Sequence, residues 1–327
     1  PSNIGTFDDG MAAAAGVAPV VVRTPLLGWA ALDELVGARI LLKAENLQRT
    51  GSFKIRGAYN FLKQLSPEQT KSGVVAFSSG NHAQAVAAAG TLLGIRTTIV
   101  MPEDAPQIKI DNTRKLGGEV VLYDRYTADR AVIAAEIAAE SGAELVPSYD
   151  HPWIIAGQGT CGIEIAEQCA ELGITADRVY VNCSGGGLTA GVALAMDELS
   201  PVTRVNPVEP EQFDDTARSL ESGERELNDP DARTICDALM VSPPGEITFA
   251  INNDLVGRGL SVSDDEVRDA MRYAFRQLKL VVEPGGAASL AAVLAGKIDV
   301  RGKTVVAVLS GGNVDAELFA RTVTAAD

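Results

Sequence analysis

Apolar residues along this chain recur in two alternating rhythms. Short continuous runs read as strands buried on both faces: Ile40-Leu41-Leu42, Val74 to Phe77, Thr97 to Met101, Val120 to Leu122, Val179 to Asn182, Arg204 to Glu209 and Thr304 to Leu309. Between them lie longer stretches that read as helices with a buried face. These are Phe53 to Leu65, an Ala-rich stretch through Leu93, about Pro106 to Leu116, Thr127 to Ser141, about Thr160 to Leu172, Leu188 to Leu199, Asp264 to Leu278 and Ala287 to Leu294. Pro102 stops one strand, and Gly117-Gly118 is a helix-ending signal. Residues 214–259 are polar, carry Pro230, Pro243 and Pro244, and read as loops with short helices. Continuous apolar strands alternating with helices predict an α/β fold, a parallel sheet covered on both faces.

Composition narrows the class. The 327 residues suffice for two domains or one large α/β unit, and 46% hydrophobic content marks a globular chain. A net charge of −15 argues against nucleic acid as a partner, because phosphate binding needs a basic surface. No apolar run approaches the roughly 18 residues of a membrane span. The Ala-rich stretch Met11 to Val22 is interrupted by Gly16 and Pro19 and has no basic flank, so a signal peptide is not expected. Cys161, Cys169, Cys183 and Cys236 show no framework spacing, which suits reduced thiols in a cytoplasm.

Chemistry concentrates at three strand ends: Ser78-Ser79-Gly80-Asn81, Ser184-Gly185-Gly186-Gly187 and Ser310-Gly311-Gly312-Asn313. Ligands of open parallel sheets bind at the carboxyl ends of strands, so these loops are expected to meet in one crevice. The triglycine precedes a helix, a suitable phosphate cradle. Lys54 falls in the first turn of another helix, with Ser52 where an N-cap belongs. The positive end of the helix dipole disfavours a cation there, and a lowered pKa is what a nucleophilic amine needs. Glu209, Glu211, Asp214 and Asp215 crowd seven residues, as an acidic loop or as oxygen ligands for Mg²⁺ or Ca²⁺.

Other chemistries fit poorly. Gly157, Gly159 and Gly162 match the dinucleotide pattern GxGxxG, but the next strand ends at Asn182, where that motif needs an acid. No GxxxxGK[ST] or GxSxG is present. Two histidines, His82 and His151, make a catalytic zinc improbable, and a thiol enzyme rests on the single pair Cys183 and His82.

Taken together, Ser52 to Gly57, Ser78 to Gln84, Gly185 to Gly187, Glu283-Pro284-Gly285-Gly286-Ala287 and Ser310 to Asn313 resemble the fold-type-II pyridoxal-phosphate enzymes, nearest the serine/threonine dehydratase and serine racemase group. The resemblance runs in the same order over nearly the whole chain. It implies two open, mostly parallel sheets with helices on both faces. A smaller domain, 73–146, is inserted between the two parts, 1–72 and 147–327, of a larger one.

The resemblance also implies roles. Lys54 would form the Schiff base with the cofactor aldehyde and take the substrate α-proton, and Phe53 would lie against the pyridine ring. Asn81 would bond the ring hydroxyl. Gly185, Gly186, Gly187 and Leu188 would hold the phosphate. Ser310 would face the ring nitrogen, and Glu283 would join the cofactor site. The turn of Ser78, Ser79, Gly80, Asn81 and His82 would bind the substrate carboxylate. Ser79 would face Lys54 across the ring, where a racemase uses a second acid. Glu209, the Phe213 carbonyl and Asp215 align with a divalent-metal site. Arg130 aligns with an arginine at the active-site mouth and suits a second carboxylate, as in hydroxyaspartate.

A hydroxyl partner leaves the ring nitrogen unprotonated and the ring a weaker electron sink, which favours prompt loss of a β-hydroxyl. The expected enzyme is an ammonia-lyase on threonine, serine or 3-hydroxyaspartate, with a serine or aspartate racemase as the alternative and a homodimer as the assembly. Two departures stand out: Ser184 replaces the first of four glycines, and Ala238-Leu239 replaces a glycine-containing turn. No regulatory module is expected after Asp315.

Overall fold

The computed structural model describes residues 5–78, 80–105, 107–124 and 126–325. Its strands are β1 (Leu26–Gly28), β2 (Arg39–Lys43), β3 (Val74–Phe77), β4 (Thr97–Pro102), β5 (Glu119–Tyr123), β6 (Glu144–Leu145), β7 (Arg178–Asn182), β8 (Arg204–Pro210), β9 (Leu260–Val262) and β10 (Thr304–Val308). The helices are α1 (Phe7–Val17), α2 (Ala30–Val36), α3 (Lys54–Gln64), α4 (Pro67–Thr70), α5 (Asn81–Leu93), α6 (Gln107–Lys115), α7 (Arg130–Ser141), α8 (Pro152–Glu171), α9 (Gly187–Leu199), α10 (Asp215–Ser222), α11 (Glu246–Leu255), α12 (Asp264–Tyr273), α13 (Pro284–Leu294) and α14 (Ala316–Thr324).

The strands form two sheets, one ordered β1-β2-β10-β7-β8-β9 and one ordered β5-β4-β3-β6. Every pairing is parallel except β1 with β2. All four strands of the second sheet fall between Val74 and Leu145, while the first draws strands from both sides of that stretch. Central strands are buried on both faces, as in β10, where Val305 to Val308 are fully covered. That double burial explains why these strands are continuous apolar runs rather than alternating ones.

Register brings the site loops together. Val308 pairs with Lys43 and Ala307 with Tyr180. Parallel alignment therefore leaves the segments after β2, β7 and β10 on one edge of the sheet, with Ser52 bridged to Gly311.

The structure moves several predicted boundaries. Helix α8 starts at Pro152 rather than near Thr160, and α7 at Arg130 rather than Thr127. The GxGxxG glycines thus sit inside α8, where they permit close packing. A Cβ on Gly191 of α9 would lie 2.5 Å from the Gly159 nitrogen, and one on Gly157 would lie 2.5 Å from the Arg56 carbonyl. Among the described residues, no helix is long and apolar enough to cross a membrane.

Candidate active site

Lys54 opens α3, and its position is set by the charge network two residues further on. The Arg56 side chain is fully buried and donates to both oxygens of Glu45, at 2.8 and 2.7 Å, and to both of Glu164, at 2.8 Å. Bidentate pairing on two sides fixes the first turn of α3 to the strand end behind it. The N-cap is Phe53, not the expected Ser52, which is extended and paired with Gly311. Phe53 N donates to the Ser310 carbonyl at 3.1 Å, so the lysine turn and the end of β10 are one unit.

The Lys54 Nζ lies 5.2 Å from the centre of the Phe53 ring and donates to the Ser148 carbonyl at 2.8 Å. Its pKa is lowered to about 8, and the cause is burial rather than the helix dipole invoked from sequence. Burial therefore raises the neutral fraction of this amine above that of an ordinary lysine.

The glycine loop stands next to it. Tyr149, the residue after Ser148, lies against the loop, since a Cβ on Gly185 would fall 2.5 Å from its ring. Gly186 has φ +93° and caps α9, a conformation that disfavours any side chain. The Gly185 carbonyl accepts from Thr248 Oγ1 at 2.6 Å and Gly245 N at 3.2 Å, and the Gly186 carbonyl accepts from Asn252 at 3.3 Å. Asp150 in turn accepts from the backbone of Glu246, Ile247 and Thr248 and so caps α11. The loop's carbonyls are thereby engaged from behind, while the amides of the first turn of α9, from Gly187 through Leu188, have no carbonyl of their own helix to bond. Ser184 Oγ accepts from Val241 N at 3.1 Å, so this departure from four glycines tethers a neighbouring segment and keeps its proton to donate.

Gly80 precedes α5, whose first turn presents a second set of free amides at Asn81 and His82. Gly80 N donates to Ser78 Oγ at 3.1 Å. The His82 Nε2 donates to the Val146 carbonyl at 3.2 Å, and burial beside Lys54 pushes its pKa down to about 3, so it is neutral. Cys183 faces Thr216 with its thiol pushed up to about 12, so the pair required for a thiol enzyme is not formed. Asn81 donates to Glu283 Oε1 at 2.6 Å and accepts from Asn313 at 2.8 Å. Ser310 is buried, and its Oγ accepts from Asn182 at 2.9 Å. The expected second acid, Ser79, lies outside the described residues.

Arg130 opens α7 and places its guanidinium 5.5 Å from the centre of the Phe77 ring, next to the Ser78 turn. Its charge also acts weakly on Tyr149, which lies against the glycine loop. The acidic group is separate. Glu209 accepts from the amides of Thr216 and Ala217, at 2.9 and 2.8 Å, and caps α10. Asp215 accepts from Asn228 through one oxygen, while its other is buried with no hydrogen-bond partner among the described residues. Burial, and then their mutual repulsion, raises the Glu209 pKa. The Phe213 side chain is buried beside them. Among the described residues no group of three or more His, Cys, Asp or Glu could hold a metal, so a cation there needs the Phe213 carbonyl as well.

Sequence reasoning missed Ser148, Tyr149, Asp150, Thr248 and Asn252. Only Asp150, as part of the Asp150-His151-Pro152 breaker, carried any local signal.

A buried amine with no carboxylate partner among the described residues, two helix N-termini with free amides, and the buried Ser310 hydroxyl fit pyridoxal phosphate. They match its aldehyde, its phosphate and a substrate carboxylate, and its ring nitrogen. Comparison with known proteins agrees. A family profile described as pyridoxal-phosphate dependent enzyme matches residues 17–311. An L-threo-3-hydroxyaspartate ammonia-lyase of Saccharomyces cerevisiae is 43% identical over 97% of this chain and 96% of that protein. A serine racemase of Schizosaccharomyces pombe is 40% identical over 96% of each. The crystal structure of a threonine deaminase from T.th. superposes with a TM-score of 0.89 at 43% identity, covering 95% of this chain and 99% of that one. The chain is therefore an enzyme of the pyridoxal-phosphate-dependent family, in the group of hydroxy-amino-acid ammonia-lyases and serine racemases.

Proposed function

We propose that this enzyme removes the β-hydroxyl of 3-hydroxyaspartate, with threonine or serine as poorer substrates, releasing a 2-oxo acid and ammonia. The observation that carries the reading is the buried Lys54 amine, held by the Ser148 carbonyl instead of a carboxylate, with burial lowering its pKa. When bound, pyridoxal phosphate supplies an electron sink that makes the substrate α-carbon acidic. Lys54 anchors that cofactor and later takes the α-proton on Nζ, with the Ser148 carbonyl orienting the amine. Phe53 covers one ring face. Gly185, Gly186, Gly187 and Leu188 hold the phosphate, Asn81 and Glu283 the ring hydroxyl side, and Ser310 the ring nitrogen. The turn of Ser78, Ser79, Gly80, Asn81 and His82 binds the substrate carboxylate through helix-end amides. Arg130 binds the second carboxylate, and similarity to a hydroxyaspartate ammonia-lyase supports that choice of substrate. In this reading residues 73–146 supply the carboxylate turn, and residues 1–72 and 147–327 hold the cofactor.

The test is a coupled assay of 2-oxo acid release from 3-hydroxyaspartate, threonine and serine, each in both β-configurations, with Lys54→Ala alongside. The parent is expected to be yellow and bleached by borohydride, and Lys54→Ala colourless with turnover lowered at least a thousandfold, on the order of 4 kcal/mol. A Lys54→Ala protein with full turnover would exclude the reading. A racemase activity is the second reading, supported by the 40% identity to a serine racemase. There Ser79→Ala should abolish racemisation while sparing elimination. We also propose that Glu209, Asp215 and the Phe213 carbonyl hold Mg²⁺ or Ca²⁺, which the unpartnered Asp215 oxygen supports. Chelation should lower the melting temperature, and an unchanged melt would dismiss the metal.

A further inference from the structure

We infer that Asn182 is a positioning residue that fixes the Ser310 hydroxyl as a donor into the site, keeping the cofactor's ring nitrogen unprotonated; this rests on the reading of Ser310 given above. Asn182 is the last residue of β7, Ser310 follows β10, and Ser289 lies inside α13. All three are buried.

The orientation of the Asn182 amide follows from its neighbours. The Ser289 main-chain N–H can only donate, so the atom 2.6 Å from it is the oxygen, which also accepts from Ser289 Oγ at 2.5 Å. The carbonyls of Gly286 and Val308 can only accept, so the atom 2.9 and 3.0 Å from them is the nitrogen. That same nitrogen lies 2.9 Å from Ser310 Oγ. The amide has two N–H protons for three acceptors, so one proton is shared; since an amide nitrogen cannot accept, Ser310 can only be the acceptor in this contact. Its own proton cannot be spent on Asn182, whose oxygen already has two donors.

The hydroxyl is thus polarised from behind and its proton is left for the site. A pyridine nitrogen with a free lone pair is the matching partner. An aspartate at 182 would instead accept the Ser310 proton, making Ser310 a donor to it and leaving only Oγ lone pairs for the site. Asn182 is also where a dinucleotide site would need an acid, so the residue that excludes one cofactor serves the other.

The experiment compares parent, Asn182→Leu, Ser310→Ala and the double variant, each stripped of cofactor and titrated with pyridoxal phosphate. Binding is followed by protein fluorescence, and the absorption band of the bound cofactor is followed against pH. Apoprotein melting temperature is measured in parallel. Each single change is expected to weaken binding roughly tenfold and to alter the absorption profile against pH in the same way. The double variant is expected to bind no more weakly than Ser310→Ala. If Asn182→Leu multiplies the Ser310→Ala effect, or only lowers the melting temperature, the residue merely ties β7 to α13 and the inference falls. If Ser310→Ala matches the parent in both readouts, the placement of Ser310 at the ring is wrong. Should Asn182→Leu lack native circular dichroism, Asn182→Ser replaces it with the same outcomes.

Discussion

Asn81 and Glu283, 202 positions apart, share a 2.6 Å hydrogen bond in which the Asn81 amide donates to Glu283 Oε1. Glu283 is buried, and burial, followed by repulsion from Asp237, pushes its pKa from 4.5 up to about 8. The folded protein therefore keeps a proton that the unfolded chain releases above pH 4.5. Its stability contribution is complete below pH 4.5 and is lost as pH rises through about 8. Lys54 acts in the next window. Its folded pKa of about 8 lies below the ordinary 10.5, so stability recovers as pH rises between those values. We expect Glu283→Gln apoprotein to lose a fall on the order of a few kcal/mol across the lower window. Denaturant melts from about pH 5 to 8 check this, and an unaltered slope would rule it out.

Arg130 has no carboxylate partner among the described residues and rests on the Phe77 ring. A guanidinium so placed is available to a dicarboxylic substrate. We expect Arg130→Ala to raise KM for 3-hydroxyaspartate roughly tenfold to a hundredfold, about 1.4–2.7 kcal/mol, and to leave threonine and serine within about twofold. Steady-state kinetics on all three decide it. Equal losses on every substrate would remove Arg130 from the specificity role.

The contact of α8 with α9 passes through Gly159 and Gly191. A methyl on Gly191 would fall 2.5 Å from the Gly159 nitrogen and 2.6 Å from the Ile155 carbonyl, both backbone atoms. Backbone yields less readily than side chains, so Gly191→Ala should destabilise the fold by about 1–3 kcal/mol. Chemical denaturation measures this. Neither parent nor variant should bind a nicotinamide dinucleotide, and saturable binding by the parent would return the GxGxxG motif to function.

Much of this architecture could be read from the chain. The central strands β2, β7 and β10 are covered on both faces, so their burial appears as unbroken apolar runs, and parallel pairing follows from the helices between them. The strands β6 and β9 were not legible, because two or three residues hold no periodicity. The Ser52 cap failed because the residue was claimed by Gly311, a partner 259 positions away in sequence that no local pattern announces.

By itself, the sequence determined the order of the longer central elements, the three polar strand ends and Lys54 as the candidate amine, since each is a local pattern of residue types. Only the tertiary structure decided what those groups do to one another. The pKa of Lys54 is lowered by burial, its hydrogen-bond partner is a backbone carbonyl, and the Ser310 hydroxyl lies 2.9 Å from the Asn182 amide at the end of the neighbouring strand. Burial and backbone acceptors belong to packing, and packing joins residues whose separation along the chain carries no signal.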